Sequence, residues 1–361
     1  IPIFVSQYEK FNNKYGVLSY VLKAGEEVIT SGSLTKLEMM RYGVNKLCTI
    51  TVTMPEIKES KSLEFSVNID IDGNVINNSW NVYLYPNKVE LISVKANINT
   101  YDFIDVIDDN NSSNVYVTDT VDDNFFEKLK TEEKVILLYR QDYTRHVKNK
   151  LPAPKYALKA SWNRFKPVIW DRGTNYGGLV NGKLLTEFGF ASNDIIDFRY
   201  YATTEDCDKI NLDDFPVKVN SIISGTDKNC RDRFDAYPAY FNLPELQYDR
   251  TLRNYSYCFE LKVGNCKLLI TGMNFNGVKT NPSTLCMFNT LVNYVKSNSF
   301  NPTAKISVDE LKDYMVECAK YPVIERMMTQ YWALDEEPVE SQEYWKNSEQ
   351  YIKDEETKMN K

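Results

Sequence analysis

A single histidine, His146, limits what this chain could catalyse. Ser–His or Cys–His nucleophilic chemistry would have to run through it, because the imidazole takes the nucleophile's proton. It stands in RQDYTRHVKNKLP, just past an apolar run that reads as a strand, and α/β sites do form at strand ends. No G-x-S-x-G or G-x-C-x-G elbow accompanies it, so an amidotransferase-like triad lacks its nucleophile. A solvated loop histidine is the simpler reading. Two carboxylate doublets, Glu205-Asp206 and Asp213-Asp214, could furnish the acid and base of glycoside hydrolysis. Adjacent strand residues point to opposite faces, however, and LDDFP reads as a turn. Among 50 acidic residues such doublets arise by chance.

The segment SWNRFKPVIWDRGTNYGGLVNG leaves a strand and enters a glycine-rich loop. Trp162, Trp170, Asp171, Arg172, Asn175 and Tyr176 offer flat indole and phenol faces beside hydrogen-bonding groups. At the carboxyl edge of a parallel sheet that combination would suit a sugar. The competing reading buries Trp170 in the core and uses Asp171 and Arg172 to hold the loop. Gly173, Gly177, Gly178 and Gly182 do not match G-x-x-x-x-G-K-[ST], so no phosphate loop is expected. Further on, Arg231, Asp232 and Arg233 alternate in charge, as in an internal ion-pair network or an interface clamp. Cys230 beside them has no neighbouring base or resolving thiol and is not read as a nucleophile.

Seven cysteines, an odd number without regular spacing, do not make a disulfide framework. The nearest pair, Cys258 and Cys266, falls on an expected hairpin. Without a C-x-x-C pair, no metal site is expected, and no cofactor. This cysteine usage fits a reduced, cytoplasmic-type compartment. A net charge of -7 argues against a nucleic-acid partner, and no apolar run is long enough to span a bilayer. The chain opens at Ile1 without Met, which suggests a fragment of a longer or processed polypeptide.

Residues 1–86 read as an all-β unit, a small β-sandwich. GVLSYVLKAGEEVITSGSL alternates around Gly25 as a hairpin should. LCTITVTM, SLEFSVNIDIDG and SWNVYLYP continue the pattern. Ile50, Val52 and Met54 share one face, Phe65, Val67, Ile69 and Ile71 another, and Trp80, Val82 and Leu84 form a last inward stripe. From about residue 87 the period changes. VELISV, NVYVTDTV and VILLYR are apolar strands, with DDNFFEKLK as a helix capped by Asp122 or Asp123. PVIW, FPVKVNSII, YCFELKV and KLLITGM supply more strands, the last two joined at Gly264-Asn265. A helix with Leu285, Phe288, Val292 and Val295 on one face closes the layer. Residues 87–302 thus form a mainly parallel α/β domain of flavodoxin-like or amidotransferase-like character. A capping box, Ser307 to Glu310, opens a helical tail over 303–361, which becomes charged and frayed.

Several of these strings together resemble the C-terminal accessory region of large glycoside hydrolase family 2 enzymes, the β-galactosidase and β-glucuronidase type. They are FKPVIWDRGTNYGG (165–178), LLTEFGF (184–190), DDFPVKVNSII (213–223) and VGNCKLLITGMNF (263–275), with the helix over 283–300 and the preceding Ig-like unit. Similar chains read G-K-G-K in the last hairpin, where this one has Gly264-Asn265-Cys266-Lys267. The resemblance covers roughly residues 1–300. It implies origin in a multidomain glycosidase of carbohydrate metabolism whose sugar-cleaving barrel, with its two catalytic glutamates, lies N-terminal to Ile1. No catalytic residue carries over to this chain. The work implied is bracing of the N-terminal catalytic domains of the same polypeptide, homo-oligomer contact, or glycan presentation. Two alternatives stand beside it: a carbohydrate-binding module using Trp162, Trp170 and Tyr176, and a degenerate amidotransferase-like hydrolase using His146.

Overall fold

The computed structural model describes residues 1–8, 15–38, 43–58, 60–87, 89–101, 113–140, 154–163, 178–181, 195–196, 198–204, 207–225 and 254–319. The chain divides into two compact units, Ile1–Val89 and a second that begins at Glu90. Among the described residues the protein is mostly β-sheet, with few helices.

Among its described residues the first unit has strands and no helix. Strands β1 (Pro2–Gln7) and β4 (Gly43–Thr49) form an antiparallel pair. Strands β2 (Tyr15–Ala24), β3 (Glu27–Glu38), β5 (Lys61–Ile71) and β6 (Asn74–Leu84) form an antiparallel sheet in the order β3-β2-β5-β6. Gly25 turns the β2–β3 hairpin with φ near +60°, a conformation only glycine adopts without cost. The core is the alternating stripe Leu63, Phe65, Val67, Ile69 and Ile71 of β5, packed with Leu18 and Leu22 of β2 and covered by Ile3 and Ile50. Two expectations need correction. LCTITVTM is strand only through Thr49: Ile50 is buried, but Val52 is half-buried and Met54 exposed. Trp80 does share the core-facing side of the sheet, stacked on Phe65, yet it is 45% exposed because the covering layer stops short of β6.

The second unit is built on one mixed sheet. Strands β7 (Lys95–Asn97), β8 (Val115–Thr118) and β9 (Lys134–Leu138) run parallel to one another. Around them lie β10 (Ala160–Asn163), β11 (Gly178–Val180), β12 (Cys207–Asn211), β13 (Asn220–Gly225), β14 (Tyr255–Val263), β15 (Cys266–Thr271) and β16 (Lys305–Ile306). The main path is β10-β12-β14-β15-β9-β8-β7, with β13 and β16 also on β14 and β11 on β13. β15 continues the parallel block through β9, and β16 is parallel to β14. The other pairings are antiparallel. A mainly parallel sheet is therefore corrected to a mixed one: hairpin returns such as β14–β15 add antiparallel strands to one side. VELISV also shifts, the strand beginning only at Lys95.

Among the described residues four α-helices accompany the sheet: α1 (Asp123–Thr131), the short α2 (Tyr201–Thr204), α3 (Pro282–Lys296) and α4 (Val308–Ala319). Strand residues alternate between the two faces. Val115, Val117, Ile136, Leu138 and Leu269 face Phe288, Leu291, Val292 and Val295 of α3. Tyr116, Val135, Leu137, Leu268 and Ile270 face α1 and α4, whose Leu311 and Met315 are fully buried. Local chemistry sets the helix ends. Asp122 caps α1 by accepting from Phe125 N. Asn281 caps α3 by accepting from Ser283 N and Thr284 N, with Pro282 in the first turn. Ser307 and Glu310 exchange bonds in the capping box of α4. At the far end of α3, the buried Lys134 ammonium donates to the carbonyls of Lys296 and Ser297, neutralising the negative end of the helix.

Candidate functional site

The carboxyl ends of the parallel strands are where α/β sheets collect functional groups. Here β7 delivers Asn99, Thr100 and Tyr101, β8 delivers Asp119 and Thr120, β9 delivers Tyr139 and Arg140, and β15 delivers Gly272, Met273 and Asn274. Asp208, on β12, joins the same edge through its backbone N–H, which donates to the Gly272 carbonyl at 2.8 Å.

These groups are spent largely on one another. The Asp119 carboxylate accepts from Asn99 N at 2.9 Å, Thr100 N at 2.5 Å and the Thr120 hydroxyl at 3.0 Å. It fixes the turn that follows β7. The Tyr101 hydroxyl donates to the Met273 carbonyl at 3.3 Å. Burial drives its pKa well above the usual tyrosine range. The Arg140 guanidinium opposes that rise, while Asp208 and Asp119 add to it. Tyr139 behaves alike, held neutral first by burial and then by Asp208; its oxygen accepts from Leu158 N at 2.8 Å. A neutral phenol of this kind can donate a hydrogen bond but cannot serve as a base at ordinary pH. Gly272 completes the edge: a methyl group there would collide with the Asp208 carbonyl, so the two backbones meet only because the residue is glycine.

A second cluster lies on the surface. Asp123, in the first turn of α1, accepts from Tyr156 at 2.5 Å, Lys155 at 2.6 Å and Lys312 at 3.0 Å. The Lys312 ammonium also lies over the rings of Phe126 and Tyr156. The hydrogen bonds from Lys155, Tyr156 and Lys312, in that order, hold the Asp123 carboxyl far below its usual value. It ties α1, the 154–156 segment and α4 together.

Of the residues singled out from sequence, Trp162 has a described backbone: it lies in β10, in register with Asp208 of β12, and so beside the carboxyl edge. Trp170, Asp171, Arg172, Asn175 and Tyr176 lie outside the described residues, as do Arg231, Asp232, Arg233, Cys230, His146, Glu205 and Asp206. Asp213 and Asp214 occupy a turn. Asp214 pairs with Lys159 and Asp213 accepts from Asn254 N at 3.2 Å, so the doublet anchors loops. Gly178 opens β11 opposite Gly225, where a side chain would strike the Ser224 carbonyl. Cys258 and Cys266 are free thiols in different register positions, opposite Thr271 and Val263. Burial pushes both up, Cys266 to about 12 with help from Glu132 and Glu133.

Sequence reasoning missed Tyr101, Asp119, Arg140 and Asp208. The available signal was positional: Asp119 and Arg140 each come within two residues of the end of an apolar strand. Among the described residues, no group of three or more acidic, cysteine or histidine side chains could hold a metal ion. No described helix is long and apolar enough to cross a membrane.

No curated protein matches the chain. Two parts match families that are each described as a domain of unknown function: residues 1–86 match DUF8488, and residues 248–316 match DUF8487.

Proposed function

We propose that this chain is a non-catalytic accessory region of a glycoside hydrolase family 2-like glycosidase, with an Ig-like β unit followed by a flavodoxin-like or amidotransferase-like α/β unit. Its work is to brace catalytic domains of the same polypeptide and to help present glycan to them. One observation carries the reading: strings that bear the resemblance adjoin in one sheet, and their polar residues serve the scaffold. Strand β13, from the 213–223 string, pairs with β14, which pairs with β15 of the 263–275 string. Within them Asp213 and Asp214 anchor loops and Gly272 admits the Asp208 backbone. None of these is poised as an acid–base pair.

A second reading, sugar binding by the aromatic loop, draws support from the register of Trp162 with Asp208. The segment that carries Trp170 and Tyr176 follows β10 in the sequence. Saturable oligosaccharide binding that is lost in Trp170→Ala, with the melting temperature unchanged, would favour it.

Immunocapture tests the accessory reading. An antibody to this chain, applied to an extract of its source, should deplete hydrolysis of one member of a panel of nitrophenyl β-glycosides in step with the antigen. Complete removal of the antigen with every glycosidase activity retained would overturn it.

A further inference from the structure

Strand β6 is paired on one side only among the described residues, with β5. Its residues 74–81 are exposed on both faces, including Val75, Ile76 and Trp80. From Asn74 to Pro86 the sequence NVINNSWNVYLYP carries no charge and no proline before its end. Natural edge strands are normally blunted by lysine, proline or a bulge, because bare N–H and C=O groups recruit another strand. The opposite edge follows that rule: β3 carries Glu27, Lys36 and Glu38, and its pairing with β2 shifts register twice. The long pairing of β5 with β6 runs from Lys61↔Leu84 to Ile71↔Asn74 without a shift. A neutral strand of this length, paired without a register shift, leaves an edge open to another strand.

Its own sequence supplies a complementary partner. In an antiparallel pair, residues directly opposite share a face. A two-fold axis normal to the sheet through Asn78 sets Ile76 against Trp80 of the second strand, and Asn77 against Ser79. The two pairs nearest the axis are thus matched in polarity, while farther out Val75 meets Asn81 and Asn74 meets Val82. The Ile76–Trp80 contact is an aromatic–β-branched pair of the kind that stabilises sheets. It also continues the core-facing stripe, since Trp80 stacks on Phe65 at 6.1 Å and Ile76 lies opposite Ile69. Moving the axis to Asn77 or Ser79 sets Trp80 against an asparagine instead. A partner strand bearing charge would lose solvation with no opposite charge on β6 to meet it.

We propose that β6 pairs antiparallel with β6 of a second copy of this chain, about a two-fold axis through Asn78, to make a homodimer by strand addition. The interface is isologous, so it closes as a dimer and does not propagate.

Light scattering on the full 361-residue chain, over a wide concentration range, should reach a mass of twice 41.9 kDa. Asn78→Lys sets two like charges across the axis and should return the chain to monomer, and so should Asn78→Asp. An equimolar mixture of the two variants should recover the dimer, which a folding defect could not do. Opposed Cα atoms in such a pair lie about 4.5–5.5 Å apart, within disulfide reach. Oxidation should therefore crosslink Asn78→Cys into a covalent dimer but leave Asn74→Cys uncrosslinked. A wild-type chain monomeric throughout, or a dimer indifferent to both charged variants, would overturn the proposal.

Discussion

The Tyr294 hydroxyl donates a 2.6 Å hydrogen bond to Oε2 of Glu260, joining helix α3 to strand β14 through a carboxylate that is 6% exposed. The other oxygen receives a longer bond, 3.4 Å, from the Asn220 amide. A carboxylate at such a site depends on its donors, because water cannot replace them. Tyr294→Phe should therefore lower stability by about 1–3 kcal/mol, the usual cost of leaving a buried polar group short of a partner. Denaturant midpoints of the two proteins check this. A change within error would mean that the bond contributes nothing.

The same tyrosine belongs to a set that sets an alkaline limit on the fold. Burial raises Tyr101, Tyr139 and Tyr294 above the ordinary tyrosine value of 10.0, with Glu260 reinforcing the rise at Tyr294. The unfolded chain releases these protons near pH 10 and the folded chain retains them. Stability from this source is complete below pH 10 and falls as pH rises beyond it. Melting temperatures measured from pH 8 to about 11.5 should decline steeply only above the ordinary tyrosine value. A flat profile there would contradict the burial of these phenols.

At the carboxyl edge, Gly272→Ala should be among the most damaging single-methyl additions in the second unit. The new methyl would meet the Asp208 backbone, which cannot move without breaking the bond from Asp208 N to the Gly272 carbonyl. Overpacking of this kind costs about 1–3 kcal/mol. Gly277→Ala is the comparison: its nearest neighbours are side-chain atoms at 3.3 Å and beyond, so its loss should be smaller. Equal losses in the two variants would sink the argument.

Asp123 gives the opposite pH signature. Its folded pKa lies below the ordinary 3.8, chiefly through the bond from Lys155 and then those from Tyr156 and Lys312. A lowered carboxyl contributes stability above the unfolded value and loses it as pH falls through the folded one. The stability difference between wild type and Asp123→Asn should hold steady from pH 7 to about 5 and narrow below 3.8. A difference that widens on acidification would show that the three donors do not favour the ionised form.

Local signals are legible in the sequence where neighbouring residues themselves decide the structure. Gly25 and Gly264 mark two of the hairpin turns, both with positive φ, and Asp122 and Ser307 mark helix starts with the predicted bonds. The β5 alternation gave the first core stripe. What failed depended on distant partners. Trp80 sits on the core side of its strand, but whether it is covered depends on how far the β1–β4 layer reaches. The antiparallel half of the sheet depends on which strands β14 recruits, and three of its four neighbours are distant in sequence. At the carboxyl edge, Tyr101 and Asp208 are more than a hundred residues apart and share no motif, so only the fold brings them together. The aromatic loop from Trp170 to Tyr176 lies outside the described residues, and its sugar-binding reading rests on sequence.

On the proposed reading, this chain is the accessory part of a larger glycosidase polypeptide. The size of the native polypeptide in its source, measured by immunoblot with an antibody to residues 254–319, tests it most directly. A band far above 41.9 kDa, yielding peptides of a sugar-cleaving barrel by mass spectrometry, is the predicted result. A band at 41.9 kDa would contradict it and leave sugar binding by the Trp170 loop as the leading account.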